Sequence, residues 1–472
     1  MNYIHTEANG QLTFSDKRYT FLTIPAALDG FNNTDTDCHR SYSNRDVICF
    51  NGTLDITEDD RKCPECGGHM HVNCYNKGKM IRHLCFGKSL SCLCFDHAQL
   101  ICPSCGATRM QNIPFKAKNH KITNELLRYT CDLLALGTFT LKDIAYITGL
   151  GKNTVKDIDL ERLKGLYTID GEKLIKPEKQ ARILGIDEFK LHDGHRYATH
   201  IIDLESGHVL WVSHGKKKQV VYDFIEHVGL EWMDGVEVVA CDMNSDFEEA
   251  FEDKCPHIQP VFDHFHIIKN FNDKVVSEVR KDEQRRLLDE GLDDEAAALK
   301  KTKYILMSNR STLQKKDKEA RDSKVISKSG KIFPKEEYVR KEGYEARYNE
   351  LLSQNQLLFT LDLIKEKLAL AYSRDDEDLM TRDISGIMET CEASGNQHLQ
   401  WFGRLLSNHF EGIIAHATYK VSSGKIEGIN NKIKTLRRQH YGLPDDDYFF
   451  LKLFDITRKG YVRNVPSHRV CD

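Results

Sequence analysis

The chain has 472 residues, more than one ordinary hydrophobic core can organise, so two to four folding units are expected. With 40% apolar and 29% charged residues it reads as a soluble globular protein with a polar surface, and no apolar run approaches the roughly 18 residues that would span a bilayer, which excludes a membrane role. The start, "MNYIHTEANG", lacks a basic segment followed by an apolar one, so a cytoplasmic location is expected, where 15 cysteines read as metal ligands and small buried hydrophobes rather than disulfides.

Along the chain, the net charge of −4 resolves into opposed segments. Residues 1–60 carry 10 acidic and 4 basic side chains, whereas residues 61–168 carry 16 basic and 8 acidic ones. The second segment suits a polyanionic partner, with a merely solvated basic surface as the alternative. Residues 1–57 offer no feature to which a role can be attached. Over residues 58–118, "KCPECGG" and "LICPSCGA" supply Cys63-x-x-Cys66 and Cys102-x-x-Cys105. A glycine after each pair lets the chain turn beneath an ion, and four thiolates fill the tetrahedral shell of one structural Zn²⁺. The long gap between the pairs holds Cys74, Cys85, Cys92, Cys94, His69, His71, His83 and His97, which stand open as substitute ligands or a second site.

Residues 119–170 contain "TLKDIAYITGLGKNTVKDID". Ile144 and Ala145 precede Gly149, and Val155 and Ile158 follow it, which is the small, turn, apolar spacing of a helix-turn-helix. Its second helix, near 152–159, would present Lys152, Asn153, Thr154 and Lys156 to a DNA major groove. An ordinary helical hairpin is the alternative.

From about residue 180 the runs "ARILGIDEF", "RYATHIIDL" and "GHVLWVSH" are β-rich and separated by turn clusters, predicting an antiparallel meander. A helix near 218–231 follows, then "VEVVACDM" as a buried strand ending on Asp242, the helical "FEEAFEDKC" and a further strand in "QPVFDHFH". That order is the order of a ribonuclease H-like sheet over residues 180–272, with Asp187 on its first strand and Asp242 at the end of its fourth. Glu188, Asp203 and Asp246 are further acids close by in the same segment, competitors for any ligand role of Asp187 and Asp242, although alternation turns Glu188 away from Asp187. In "DHFHIIK", Asp263 and His266 sit either at the rim of the acid cluster or at a strand end in the core.

Residues 273–414 carry apolar residues at helical spacing among charges and read as an all-α insertion. Its basic stretch 309–331 is either a DNA-contacting arm or a solvated linker, and Trp401 and Phe402 are expected in the core. Residues 415–472 are expected to return to the domain begun at residue 180. In "KIEGINNKIKTLRRQ", Ile426, Ile429, Ile433 and Leu436 form a stripe that can dock on the sheet, while Glu427, Asn430, Asn431, Lys434 and Arg438 fall on another face. A surface helix with a charge pattern is the alternative.

Taken together, Cys63-Pro-Glu-Cys66, Cys102-Pro-Ser-Cys105, "TLKDIAYITGLGKNTVKDID", "GIDEF", "CDM", "DHFHIIK" and "EGINNKIKTLRR" resemble the ISL3 family of bacterial insertion-sequence transposases, over roughly residues 60–272 and 415–455. The resemblance implies a multidomain α/β protein: a zinc-binding module, a helix-turn-helix, and a ribonuclease H-like mixed-sheet catalytic domain interrupted by an all-α insertion. It implies that Asp187, Asp242 and Glu427 hold two catalytic Mg²⁺ for DNA strand cleavage and transfer, and that Lys434, Arg437 and Arg438 meet DNA phosphate. The implied partners are DNA, as element ends and target, and a second copy of the chain on that DNA. A sequence-specific DNA-binding regulator whose catalysis is lost is the alternative, and a nuclease of RNA or branched DNA a third reading.

Overall fold

The computed structural model describes residues 28–40, 45–194, 196–243, 245–322, 336–422, 424–439 and 445–458, with the strand pieces His5–Thr6, Leu12–Thr13 and Val325–Lys328. Most of residues 1–27, part of the basic stretch 309–331 and the end 459–472 thus lie outside the described residues. The chain divides into two units, one drawn from residues 1–175 with 435–456, the other from 176–434 with 457–472. Both mix helices and sheet, so the protein is an α/β protein with several sheets and many helices. Among the described residues no helix is long and apolar enough to cross a membrane.

The first unit begins with β1 (Phe31–Arg40), β2 (Asp46–Leu54), β3 (His71–Phe86), β4 (Ser89–Ile101) and β5 (Thr108–Met110). The sheet order is β1-β2-β4-β3, with β5 added on β4. Because side chains alternate along a strand, the sheet buries two separate sets. Phe50, Ile81, Leu93 and Phe95 pack with Phe115 on one face, and Val47, Cys49, Leu90 and Cys92 cluster on the other.

Three helices follow: α1 (Asn124–Leu136), α2 (Leu141–Thr148) and α3 (Lys152–Tyr167). The Thr140 side chain caps α2 through the Asp143 N–H while Asp143 returns the bond to the Thr140 N–H, a reciprocal capping box. Gly149, at φ 68°, makes the turn into α3, a conformation that costs glycine nothing. Ile144, Val155, Ile158 and Leu163 are buried between these helices. The sequence-predicted second helix is present and runs longer than expected, to Tyr167.

The second unit is built on β6 (Ile183–His192), β7 (Arg196–Asp203), β8 (Val209–His214), β9 (Val238–Cys241) and β10 (Gln259–Phe262). Its sheet order is β8-β7-β6-β9-β10. The first three strands form an antiparallel meander, and β9 and β10 add in parallel beyond β6. Helices α4 (Lys218–Val228) and α5 (Ser245–Lys254) make the crossovers that parallel strands require. Leu184, Ile186, Ile201, Val239, Phe224, Phe247 and Phe251 form the core, which is continuous with the helical segment beyond.

After α6 (His264–Asn270) that segment contains α7 (Ser277–Asp289), α8 (Tyr344–Gln354), α9 (Gln356–Ala371), α10 (Glu377–Ala393) and α11 (Gln397–Asn408). The expectation for "HLQWFGRLL" is half corrected here. Leu399, Phe402 and Leu406 line the buried stripe of α11, whereas Trp401, off that stripe, is 36% exposed. The last helix of this unit is α12 (Gly424–Gln439), whose Ile426, Ile429 and Ile433 are buried as its stripe predicts; residues from Thr435 onward group with the first unit.

A buried charge cluster holds helix Asp446–Arg458 against α3 within the first unit. Asp159 is fully buried and accepts from Tyr448 Oη at 2.7 Å, Lys452 Nζ at 2.8 Å and Arg162 Nη2 at 2.8 Å. Arg162 also donates to Asp455 Oδ2 at 2.9 Å. Breaking such a set leaves uncompensated cations in the interior, at a cost of about 3–5 kcal/mol. Asp159→Ala is therefore expected to lower the stability of this unit by that amount and to speed amide exchange in residues 446–458. Exchange at the wild-type rate would mean that the cluster does not hold the helix.

Candidate active site and cysteine clusters

Two carboxylates lie on adjacent parallel strands, Asp187 in the middle of β6 and Asp242 just past the end of β9. The β6–β9 ladder pairs Gly185 with Ala240, and Asp187 and Asp242 each lie two residues further on. Each carboxylate is already oriented. Asp187 Oδ1 accepts from the Glu188 N–H at 2.8 Å, and Asp187 Oδ2 accepts from Asn430 Nδ2 at 2.6 Å. Asp242 Oδ1 accepts from the Met243 N–H at 2.8 Å and stands 3.2 Å from His266 Nδ1.

Burial alone would raise the Asp242 carboxyl, but His266 and the Met243 N–H hold it below the usual carboxylate range. The same pairing has the opposite effect on His266. Its burial disfavours the cation, yet Asp242, with help from Asp187, raises the imidazole above its ordinary value.

The helix that brings Asn430 comes close because of a glycine. Gly185 lies on the same face of β6 as Asp187, and a Cβ there would stand 2.9 Å from Leu204 Cδ2 and 3.0 Å from Ile426 Cγ1 and Cδ1. Lys425 Nζ anchors the start of α12 by donating to the carbonyl oxygens of Leu204 and Glu205 at 2.6 and 2.7 Å. Glu427 is one turn before Asn430 on this helix and is exposed; Lys434 is one turn after it and exposed, and Arg437 and Arg438 occupy the last turn. The three carboxylates of Asp187, Asp242 and Glu427 are spread more widely than the cysteine-containing clusters, whose ligand atoms lie within 4.8 Å of one another.

The competing residues separate clearly. Asp203 is occupied in the turn after β7, accepting from the Glu205 and Ser206 N–H groups and from Ser206 Oγ. Asp263 caps α6 by accepting from the Phe265 N–H. His266, two residues into that helix, is the group at the rim. Glu188 is closer to the acids than strand alternation suggests. Burial raises its carboxyl, Lys216 at 3.9 Å opposes that, and Asp187, Asp242 and Asp246 add repulsion. Its Oε2 is buried without a hydrogen-bond partner among the described residues, and so is Asn430 Oδ1. His200, directly opposite Asp187 on β7, is fully buried and held neutral, its pKa lowered to about 4 by burial against the pull of Asp187. Sequence reasoning did not single out Gly185, His200 or the Asn430 bond to Asp187. A glycine inside an apolar strand was the one available signal of a close approach.

In the first unit, Cys63 Sγ lies 3.6 Å from Cys105 Sγ and Cys66 Sγ lies 3.5 Å from Cys102 Sγ. All four sulfurs fall within 4.8 Å of one another. Two alike turns build the cluster: the Gly67 N–H returns to the Cys63 carbonyl at 3.0 Å and the Gly106 N–H to the Cys102 carbonyl at 2.8 Å, both glycines at positive φ. On α3, Lys152 and Asn153 are exposed and Thr154 is half-buried. Lys156 is engaged, donating to Asp445 Oδ2 at 2.7 Å and lying 5.4 Å from the Tyr448 ring centre.

The second unit thus carries two acids on neighbouring strands and a helix rich in amides and cations laid on the same sheet, and sequence comparison identifies the family. A family model described as Transposase, for the ISL3 type, matches residues 184–453. The chain belongs to this ISL3 family of transposases. It is 25% identical over 392 residues to the transposase for insertion sequence element IS1001 of Bordetella parapertussis, covering 83% of this chain and 87% of that protein. It is also 29% identical over 99 residues, 21% of this chain and 22% of the relative, to the transposase for insertion sequence element IS1557 of Mycobacterium tuberculosis.

The close approach at Gly185 gives the next prediction. Gly185→Val is expected to overpack the contact with Leu204 and Ile426, at a cost of about 1–3 kcal/mol, and to lift Asn430 from Asp187. Denaturant unfolding and amide exchange of residues 424–434 measure both. An unchanged exchange rate in that helix would contradict the tight seating.

Proposed function

We propose that the protein is a transposase of an insertion sequence that binds element ends through its first unit and cuts and joins DNA strands at Asp187, Asp242 and Glu427. The observation that carries this is the Asn430 hydrogen bond to Asp187, which ties the Glu427 helix to the sheet that bears the other two acids. Support for a ribonuclease H-like reading comes from the sheet order β8-β7-β6-β9-β10, with β9 and β10 parallel to β6.

The donor chemistry fits Mg²⁺, which prefers oxygen ligands. Asp187 and Asp242 supply carboxylates, and the buried Asn430 Oδ1 and Glu188 Oε2 are oxygens that lack a partner among the described residues. A pair of such ions would activate the attacking hydroxyl or water and stabilise the leaving oxygen. Asn430 and the Glu188 N–H fix the Asp187 carboxylate, and His266 with the Met243 N–H fixes that of Asp242, so neither has to reorganise when DNA arrives. Lys434, Arg437 and Arg438, on the turns after Asn430, are cations suited to phosphate.

The four sulfurs of Cys63, Cys66, Cys102 and Cys105 suit one Zn²⁺, whose tetrahedral ligands stand about 3.7 Å apart at a metal–sulfur distance of about 2.3 Å. The helix-turn-helix would read bases with Lys152, Asn153 and Thr154. Lys156 contributes less directly, because Asp445 already holds its ammonium group.

Two experiments test this reading. Asp187→Asn, Asp242→Asn and Glu427→Gln should each abolish Mg²⁺-dependent cleavage of DNA bearing the element ends, by about 10³-fold or more, and combine without additivity, while end binding stays nearly unchanged. Wild-type protein that binds ends and never cuts would favour the regulator reading, and near-normal cleavage by Glu427→Gln would move the third role to Glu188. In the second experiment, Asn153→Ala should reduce discrimination between end sequence and random duplex by about 1–3 kcal/mol. Equal loss on both duplexes would mean that α3 does not read bases.

A further inference from the structure

The first unit holds a second set of metal-type ligands that shares no residue with the four-cysteine cluster. In the β1–β2 ladder Asp37 stands opposite Cys49, and in the β2–β4 ladder Cys49 stands opposite Cys92. Opposed residues share a face, and so do residues two apart along a strand. Asp37, His39, Cys49, Cys92 and Cys94 therefore project from one face of the sheet, the face opposite that of Phe50, Leu93 and Phe95.

The three sulfurs are spaced for a chelate, whereas His39 is close to Cys49 and farther from Cys92 and Cys94, so its exposed ring has to turn inward to complete the shell. Cys49 Sγ lies 3.1 Å from Cys92 Sγ and 3.7 Å from His39 Nδ1, and Cys92 Sγ lies 3.8 Å from Cys94 Sγ. Ligands of a tetrahedral zinc ion, at about 2.3 Å for sulfur and 2.0–2.1 Å for nitrogen, stand about 3.5–3.8 Å from one another. The 3.1 Å pair is much longer than a disulfide, at about 2.05 Å, and would have to open by about 0.6 Å to admit an ion. The three sulfurs fall within 4.8 Å of one another, as do the ligand atoms of Asp37, His39 and Cys49.

Reduced thiols packed as small hydrophobes would explain Val47 and Leu90 beside them, but not the charge on the same face. Arg82 stands directly opposite Cys92 across the β3–β4 ladder. Its Nε and Nη2 are buried and have no hydrogen-bond partner among the described residues. Arg82 as a whole is half-buried, and these two shielded nitrogens, without an acceptor among the described residues, stand beside the thiols of this face. Three thiolates and an imidazole around Zn²⁺ carry a net charge of −1, which gives Arg82 a counter-ion.

We propose that the protein binds a second Zn²⁺ through Cys49, Cys92, Cys94 and His39, a structural ion that clamps β1, β2 and β4 together. Asp37 stays outside the four: its Oδ2 accepts from Asn51 Nδ2 at 3.0 Å, and the shell is complete without it. Binding displaces the thiol protons, so uptake of the metal releases acid.

The test is metal content of the full chain, purified without chelator, by elemental analysis. Two Zn²⁺ per chain are expected in the wild type, one after Cys92→Ser and one after Cys63→Ser with Cys102→Ser. His39→Ala, which removes a half-exposed ring and keeps all thiols, should release one Zn²⁺ to a colorimetric chelator at least tenfold faster while the other is unaffected. This arm does not depend on whether the cysteine variant folds. If the four-cysteine reading alone fails, a single Zn²⁺ should be lost with Cys92→Ser and kept with Cys63→Ser. The proposal is overturned by zinc content that is unchanged in both Cys92→Ser and His39→Ala, or by a Cys49–Cys92 disulfide in the mass spectrum of the native protein.

Discussion

The catalytic reading depends on one approach: a helix that begins at residue 424 lying directly on a strand that begins at residue 183. Asp187 and Asn430 are separated by 243 positions in the chain and joined by a 2.6 Å hydrogen bond. Such closeness needs a strand residue without a side chain, and Gly185 is that residue. It needs a helix with one apolar stripe, and Ile426, Ile429 and Ile433 form it. The orientation of Asp187 follows from this contact, because the same turn that buries the isoleucines directs Asn430 to it.

Gathering acids is costly unless each negative charge is offset before metal or substrate arrives. Asp242 is offset by His266, whose own cation is favoured by the pairing, and Asp187 by the Asn430 amide and a backbone N–H. Glu188 shows the residual tension, its carboxyl pushed upward by burial and by three neighbouring acids while Lys216 pulls it back. Partially offset acids, with two buried oxygens that have no partner among the described residues, are the donor set that the proposed Mg²⁺ binding would use. The first unit solves a related problem with softer donors, where clustered sulfurs replace clustered oxygens.

Much of this was legible in the sequence because it depends on local pattern. Alternation and turn clusters marked the meander, a short apolar run marked β9, and helical spacing marked the stripe of α12. These patterns fixed where Asp187 and Asp242 lie along their strands. Contacts between distant segments were not legible. Lys156 reads as a groove-facing cation in its own stretch, but Asp445, 289 positions away, takes its charge. Asp159 carries no signal of burial in its own stretch, yet it is fully buried between Arg162 and the Tyr448 and Lys452 brought by residues 446–458. His39 and Cys49 lie in a stretch with no local signature, and only the pairing of β1, β2 and β4 sets them beside Cys92 and Cys94. Trp401 was misjudged for a related reason, since a one-residue offset on a helix decides between stripe and surface.

The most direct measurement of the central claim is a crystal structure of the protein with element-end DNA and Mn²⁺ in place of Mg²⁺, located by anomalous scattering. The account predicts manganese peaks at direct coordination distance, about 2.1 Å, from carboxylate oxygens of Asp187 and Asp242, with Glu427 completing the shell from α12. Manganese held by Asp187, Asp242 and Glu188 with Glu427 turned to solvent, or no manganese at these carboxylates, would contradict it.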